Sequence, residues 1–301
     1  MSYIRPFDPW RKGSLCTCPF KYTVNPYTGC SHACLYCYAS SYIRRFFQPR
    51  PKVGFLRRSF NDLKRLPPIS IINISSSSDP YQPCELEYQY TRHLLEVIAG
   101  KHIVEVVTKS DLVVRDIDLL KRGFSIVSVT LTTLDESLAA RLEPGAPPSK
   151  RRIEAMGKLS RAEIPVVLRL DPLIPGLTDS PDSIREVIEE AVSSGVSHVV
   201  SSIYKVKPDN LRRVIEVFPE ILPRIRELYF KHGERIHGYL YSERSYRFKT
   251  LKVVREEAHR HGLTFASCRE GFPELSDPGV SCDGTYLTHA SSSFQHTLRS
   301  Y

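Results

Sequence analysis

Continuous runs of Val, Ile and Leu alternate along this chain with amphipathic stretches that have helical spacing. Parallel strands that are covered on both faces have this uninterrupted apolar character. On this pattern we predict six strands, at residues 21–25, 69–75, 102–108, 124–131, 165–170 and 196–203.

Helix boundaries between the strands are marked by capping residues and glycines. Ser180 and Pro181 predict the start of a helix, and Gly195 predicts its end. Beyond the sixth strand the regular alternation of apolar runs and helical stretches ends. There we predict a helix at residues 249–261 and one more strand at residues 263–267.

Six strands that alternate with helices predict an α/β fold with a parallel sheet, closed as a partial (β/α)6 TIM-like barrel. We divide the chain into an N-terminal arm (1–20), the partial barrel (21–236) and a C-terminal extension (237–301). In barrels of this kind the functional site lies at the C-terminal ends of the strands. The polar residues that follow the predicted strands are therefore the first candidates for a site.

The composition of the 301 residues, with 41% hydrophobic and 25% charged side chains, is typical of a globular protein. We find no run of eighteen apolar residues, so we expect no membrane span. The N-terminus lacks the apolar core of a signal peptide. Eight cysteines without a secretory signal indicate a reducing compartment, and we expect the protein in the cytosol.

A cysteine-rich loop follows the first predicted strand. Cys30, Cys34 and Cys37 have the spacing C-x3-C-x2-C, and Tyr36 precedes the last of them. Three thiolates on one short loop can bind three irons of a cubane cluster and leave the fourth iron open. A zinc site, which usually needs four closed ligands, and plain structural thiols are the alternatives. We interpret His32 as a loop residue rather than a fourth ligand.

With these residues in view, the chain resembles the radical S-adenosylmethionine (SAM) superfamily, in its spore photoproduct lyase-like (DNA repair photolyase-like) branch. The resemblance extends from about residue 21 to residue 203. The strings that carry it are Asn25-Pro-Tyr-Thr-Gly-Cys30, Ser78-Asp79-Pro80-Tyr81-Gln82-Pro83, Thr108-Lys109-Ser110, Leu142-Glu143-Pro144 and Ile174-Pro175-Gly176-Leu177-Thr178-Asp179.

The resemblance implies a [4Fe-4S] cluster, with Cys30, Cys34 and Cys37 as ligands, and SAM bound at the open iron. Reductive cleavage of SAM would give a 5′-deoxyadenosyl radical, so it also implies a ferredoxin- or flavodoxin-like electron donor. By the same resemblance Tyr36 lies near the adenine, and three residues contact the polar groups of SAM: Ser78, Lys109 and Ser128. Simple packing for Tyr36 and Ser128, and a surface charge for Lys109, are the alternatives.

One departure from the branch concerns the hydrogen donor. Spore photoproduct lyases carry a cysteine just before the Ser-Asp pair, where this chain has Ser76. A serine O–H bond is too strong to donate a hydrogen atom easily, so we do not carry over the DNA-lesion reaction. Cys84 is the nearest thiol along the sequence and is a candidate catalytic replacement; an inert buried cysteine is the alternative.

Four cysteines remain outside the cluster loop: Cys16, Cys18, Cys268 and Cys282. They lie near the two ends of the barrel sequence. We predict that they converge on an auxiliary iron–sulfur cluster or on zinc, with separate structural cysteines as the alternative.

The net charge of +9 is unevenly distributed. Residues 44–65 and 239–252 combine Arg and Lys with interleaved aromatic side chains. Such stretches suit a nucleic-acid partner, because cations neutralise phosphates and aromatic rings stack on bases. A solvated basic face over ordinary core aromatics is the alternative.

We therefore expect a radical SAM enzyme, lyase-like or transferase, that acts on a nucleoside in nucleic acid. A radical enzyme for a peptide or small metabolite is the first alternative. A non-catalytic metal protein that binds nucleic acid is the second.

Overall fold

The computed structural model describes residues 2–7 and 15–288, so part of the predicted N-terminal arm and residues 289–301 of the C-terminal extension lie outside the described residues. The strands are β1 (Arg5–Pro6), β2 (Tyr22–Val24), β3 (Tyr27–Thr28), β4 (Arg50–Pro51), β5 (Ile71–Ile74), β6 (Ile103–Thr108), β7 (Ser125–Thr130), β8 (Val166–Leu173), β9 (His198–Ile203), β10 (Glu234–Ile236), β11 (Tyr239–Tyr241) and β12 (Thr264–Ser267).

The helices lie between the strands of the main sheet or follow them. They are α1 (Phe55–Leu63), α2 (Glu85–Tyr88), α3 (Tyr90–Ile98), α4 (Ile117–Leu120), α5 (Glu136–Leu142), α6 (Ser149–Arg161), α7 (Pro181–Ser193), α8 (Pro208–Val217), α9 (Leu222–Ile225) and α10 (Arg244–Arg260). The predicted cap of α7 is present, since the Ser180 hydroxyl accepts a hydrogen bond from the Ser183 amide at 3.2 Å.

The main sheet has eight strands in the order β1-β2-β5-β6-β7-β8-β9-β12. All neighbours from β2 to β12 are parallel, whereas β1 pairs antiparallel with β2. The α/β class and the partial TIM-like barrel are confirmed. The strand predicted at residues 263–267 extends the same sheet, because β12 pairs with β9.

The two faces of the strands differ in chemistry. Residues such as Val106, Val127 and Leu168 belong to a large apolar core that they form with the surrounding helices. The opposite face carries Glu105 and Arg169, which line a cavity inside the barrel. The strands are therefore covered on both faces, as the sequence predicts, and the inner face combines these charged residues with an apolar cluster that includes Ile126, Val167 and Val200.

A segment near the C-terminus fills part of the barrel interior. Gly284 has φ +71°, and a Cβ atom there would lie 2.6 Å from a methyl group of Val167 on β8. Beside it, Lys21 forms ion pairs with Glu105 at 2.6 Å and Asp283 at 2.9 Å, all three side chains being buried. This triad connects the start of β2, the middle of β6 and the C-terminal segment.

No helix in the described part of the chain combines the length and the apolar character needed to cross a bilayer.

Glu105 generates a prediction about stability. Burial raises the pKa of Glu105 from 4.5 to about 7, against the attraction of Lys21. The folded protein therefore keeps a proton that the unfolded chain loses, and its free energy of unfolding should fall as pH rises from 4.5 to 7. We expect the variant Glu105→Gln to lose roughly 3 kcal/mol less of its free energy of unfolding than the wild-type protein over this pH range. Urea unfolding at a series of pH values measures the difference.

The control is Glu96→Gln, because Glu96 is exposed on α3. An unchanged pH dependence in Glu105→Gln would contradict the assignment of this proton to Glu105.

Candidate functional site

The predicted cluster loop follows β2 and lies at the C-terminal mouth of the barrel. Cys30, Cys34 and Cys37 all line one cavity of about 560 Å³, a volume in the range of small-molecule sites. Cys30 and Cys34 are buried, Cys37 is half-buried, and all three are free thiols. The structure therefore brings together the three thiols that the sequence predicts as metal ligands.

The backbone before Cys30 allows no side chain. Gly29 has φ +83°, and a Cβ atom there would lie 2.3 Å from the Phe46 carbonyl oxygen. The amide of Cys30 donates to the same oxygen at 2.7 Å. This close approach explains the glycine of the Asn-Pro-Tyr-Thr-Gly-Cys string.

Gln82 fixes the next part of the loop. Its side-chain oxygen accepts from the Ser31 amide at 2.9 Å, and its Nε2 donates to the carbonyls of Gly29 and Asp79 at 3.1 Å. The Gln82 side chain is fully buried. The string from Ser78 to Pro83 thus includes a clamp on the cysteine loop.

Asp79 links this clamp to the end of β6. Its carboxylate accepts from the Thr108 hydroxyl at 2.7 Å and the Lys109 amide at 2.8 Å, and lies 3.3 Å from Nδ1 of His32. Burial raises the pKa of Asp79, but His32 and these hydrogen bonds outweigh it and hold the pKa below its usual value. His32 thus contacts Asp79 from within the cysteine loop.

Glu143 supports the loop from below. It accepts a hydrogen bond from the Tyr36 hydroxyl and forms a buried ion pair with Arg152 at 2.5 Å. Burial raises the pKa of Glu143, but Arg152 and Lys109 outweigh it and hold the pKa below its usual value. Leu142, beside it, accepts from the Leu35 amide at 2.9 Å. The Leu-Glu-Pro string is therefore part of the loop's support.

Two residues of α8 hold the other side of the loop. The Arg213 guanidinium donates to the carbonyls of Leu35 and Cys37 at 3.1 Å. The fully buried Asn210 donates to the Tyr36 carbonyl at 3.1 Å. Sequence reasoning missed both residues, because 174 or more positions separate them from their partners on the loop.

Three of the four predicted SAM contacts lie at the cavity. Tyr36, Ser78 and Lys109 line it, and the Lys109 ammonium lies 5.5 Å from the centre of the Tyr36 ring. The Ser78 hydroxyl is buried without a hydrogen-bond partner in the described structure. Ser128 is fully buried on β7 and is not among the lining residues.

Cys84 lies apart from this group. It is half-buried at the start of α2 and does not line the cavity, and burial raises the pKa of its thiol to about 11. Ser76 does line the cavity, where its hydroxyl contacts the Thr23 hydroxyl at 3.0 Å and the Asn25 side-chain amide at 3.3 Å. A donor role for Cys84 stays a prediction from sequence.

The four remaining cysteines meet on the wall of the same cavity. The sulfurs of Cys18 and Cys282 are 3.1 Å apart, and Arg169 on β8 donates to the Cys268 sulfur at 3.3 Å. A hydrogen bond with Cys282 and the charge of Arg169 lower the pKa of Cys268 to about 6, against burial. Cys16 lines the cavity beside them.

The cavity wall also carries a group of aromatic and cationic side chains that we call the aromatic wall: Tyr38, Tyr42, Tyr239 and Arg269. The rings of Tyr38 and Tyr239 meet edge to face at 5.6 Å. The Arg269 guanidinium lies 5.5 Å and 5.4 Å from their centres. The Tyr42 side chain is 56% exposed. Sequence reasoning singled out only Tyr239 of this group.

The first basic stretch is partly surface and partly core. Arg44, Arg45 and Arg57 are exposed. Of the interleaved aromatics, Phe46 and Phe55 are buried packing residues. The stretch therefore offers charge to a partner, but fewer stacking rings than the sequence suggests.

The donor set of the cavity fits a cubane cluster with a polar ligand at its open iron. The cysteine loop offers three thiols to the cavity rather than four closed ligands. The cavity also offers buried polar atoms without partners in the described residues, the Ser78 hydroxyl and Nε2 of His32. Such atoms are rare in folded proteins unless a ligand or water satisfies them.

Comparison with known families gives a direct match. The family model described as the radical SAM superfamily matches residues 24–191, more than half of the chain. An uncharacterized protein of Methanocaldococcus jannaschii is 35% identical over 167 residues, which cover 53% of this chain and 62% of that protein. A protein of Pseudomonas phage M6 named radical SAM Nalpha-GlyT isomerase is 25% identical over 269 residues, 85% of this chain and 55% of that protein.

Solved structures share the fold. A spore photoproduct lyase mutant has a TM-score of 0.65 and 18% identity, covering 87% of this chain and 78% of its own. Another mutant, with bound AdoMet and a dinucleoside spore photoproduct, has a TM-score of 0.63 and the same identity and coverage. At this level of identity the likeness concerns the fold.

The clamp predicts that Gln82→Met will weaken metal binding. The substitution keeps the side-chain length but leaves the buried Ser31 amide and Gly29 carbonyl without partners, at a cost of about 1–3 kcal/mol for each group. After anaerobic reconstitution with iron and sulfide, bound iron per chain should fall at least about twofold while the circular dichroism spectrum of the fold is kept.

Gln48→Met is the matched control, because Gln48 is exposed. Wild-type iron content in Gln82→Met would show that the clamp is not needed to position the loop.

Proposed function

Because this chain belongs to the radical SAM superfamily, we propose that it is an enzyme that abstracts hydrogen from a nucleoside unit of nucleic acid. The convergence of Cys30, Cys34 and Cys37 on a single cavity carries this proposal. The matched relatives leave the reaction itself open, since the chain spans only about three fifths of the first of them.

In this proposal Cys30, Cys34 and Cys37 hold a [4Fe-4S] cluster. Together with SAM, the bound cluster supplies a 5′-deoxyadenosyl radical when an electron donor, ferredoxin- or flavodoxin-like, reduces it. Lys109 places a positive charge near Cys34 and so offsets part of the negative charge of the thiolates.

Three side chains line the cavity beside the cysteines and support the proposed contacts to SAM. We assign Tyr36 to the adenine, and Ser78 and Lys109 to the polar groups of SAM. The role proposed for Ser128 would need contact through a neighbouring group, because Ser128 is fully buried on β7. Thr130, two residues further along β7, lines the cavity itself.

Two observations favour a nucleoside as substrate. The aromatic wall offers rings and a guanidinium of the kind that stack on bases. The exposed arginines of residues 44–57 can neutralise phosphates. A solved neighbour of the same fold binds a dinucleoside, but Ser76 in place of a thiol argues against the same lesion reaction here.

A small charged metabolite or a peptide is the second candidate. The inner wall carries Arg169 and Asp171, 3.4 Å apart, and Lys205, which pairs with Glu270 at 2.7 Å. Fixed charges of both signs suit the amino and carboxylate groups of such a molecule better than a base. The nucleic-acid binding experiment below separates the two candidates.

A second metal centre at the four remaining cysteines is a separate proposal, because it does not depend on the radical chemistry.

The first test is product formation. Anaerobically reconstituted protein with dithionite and SAM should release 5′-deoxyadenosine, measured by chromatography and mass spectrometry. Cys34→Ala should abolish the product, since two thiolates on the loop cannot replace the three-cysteine ligand set. Cys84→Ala removes a thiol that does not line the cavity, so it is the control for the loss of a thiol as such. No product from the wild-type protein with a full cluster would refute the proposed activity.

The second test is nucleic-acid binding. The variant Arg57→Gln/Arg58→Gln should bind single-stranded RNA or DNA more weakly at all sequences and with a smaller salt dependence. Tyr42→Ala should weaken binding by about 1–3 kcal/mol through lost stacking. Controls are Arg185→Gln and Lys158→Gln, exposed residues outside the basic stretches. Unchanged affinity at low salt in both test variants would favour the metabolite instead.

A further inference from the structure

The four cysteines outside the cluster loop come from separate parts of the chain. Cys16 and Cys18 precede β2, Cys268 directly follows β12, and Cys282 lies in the segment that fills the barrel interior. In the sheet order, β12 forms one end and β2 lies next to the other end. The four thiols therefore join the two sides of the incompletely closed barrel.

Cys282 is the centre of this cluster of thiols. Its sulfur lies 3.1 Å from that of Cys18, and Cys18 and Cys268 both pack against the apolar cluster that contains Cys282. A disulfide between Cys18 and Cys282 would need a sulfur–sulfur distance of about 2.05 Å and would leave the other two thiols unused. Four thiols that line the wall of one cavity instead suit a shared metal ion.

The surroundings of the thiols fit a closed thiolate site. Ile126, Val167 and Val200 form an apolar cluster with Cys282, against which Cys18 and Cys268 pack. Arg169 donates to the Cys268 sulfur at 3.3 Å. Hydrogen bonds from fixed donors orient metal-bound ligands. The positive charge of Arg169 also offsets part of the negative charge of the thiolates.

We propose that Cys16, Cys18, Cys268 and Cys282 form a mononuclear four-thiolate metal site, with zinc as the ion, that holds the N-terminal arm and the C-terminal segment against the barrel. In a tetrahedral zinc site with bonds of about 2.3 Å, the sulfurs lie about 3.8 Å apart. The sulfurs of Cys18 and Cys282, at 3.1 Å, are already closer than this value. In the described structure no three of the four sulfurs lie within 4.8 Å of one another, so the ion would draw the remaining thiols toward this pair. Around a cubane, where each thiolate binds a different iron, the sulfurs stay well separated.

The experiment tests this site in a chain whose cluster loop has lost its thiols. The full chain with Cys30→Ser, Cys34→Ser and Cys37→Ser should contain about one zinc per chain by elemental analysis, as expected for one closed tetrahedral site. Cobalt(II) exchanged for zinc should give the intense visible absorption of a tetrahedral cobalt–thiolate centre. Adding Cys18→Ser and Cys282→Ser should remove both signals, whereas adding Cys84→Ser should leave both unchanged.

One more variant is needed because the serine variants could lose the metal simply by failing to fold. Cys268→His on the same background keeps four ligands, so cobalt should still bind with its visible bands at shorter wavelength. The proposal is overturned if the folded loop variant binds neither zinc nor cobalt through thiolates. It is equally overturned if that variant holds about four irons and four sulfides, or if mass spectrometry finds a Cys18–Cys282 disulfide. Since the loop variant cannot make 5′-deoxyadenosine, these outcomes are independent of the proposed radical activity.

Discussion

The candidate site depends on hydrogen bonds that hold an irregular loop in place from three sides. A loop that presents three thiols to one cavity cannot rely on the hydrogen bonds of a helix or sheet, so its backbone needs other partners. Gln82 supplies them on one side, Asn210 and Arg213 on another, and the Glu143–Arg152 pair lies beneath. Because Gln82, Asn210, Glu143 and Arg152 are buried, a lost bond at any of them leaves an unsatisfied polar group.

Polar and charged residues also lie deep in the molecule away from the cysteine loop. The outer face of the sheet is apolar and packs on helices, as in other barrels of parallel strands. The inner face instead carries Glu105, Arg169 and Asp171 around the cavity. Buried charges need partners: Lys21 pairs with Glu105 and Asp283, and Arg169 pairs with Asp171.

The structure also explains what individual residues do in the sequence motifs shared with the family. The Ser-Asp-Pro-Tyr-Gln-Pro string contributes Asp79, which links the loop to β6, and Gln82, which clamps its backbone. The Leu-Glu-Pro string contributes Glu143, which holds the hydroxyl of Tyr36. In both strings these residues act on the cysteine loop, so they position the ligands of the site.

The order of strands and helices, the cysteine loop and its membership in a superfamily could all be predicted from the sequence. These features are local: apolar runs specify strands, and three cysteines within eight residues are close whatever the fold. The roles of Asn210, Arg213 and the aromatic wall could not be predicted, because they come from residues far apart in sequence. The meeting of Cys16, Cys18, Cys268 and Cys282 was a hypothesis with an open alternative until the fold was known. Only the tertiary structure places these four thiols on one cavity wall, because closing a chain into a barrel determines which distant side chains share one cavity; the metal that they would hold stays a proposal.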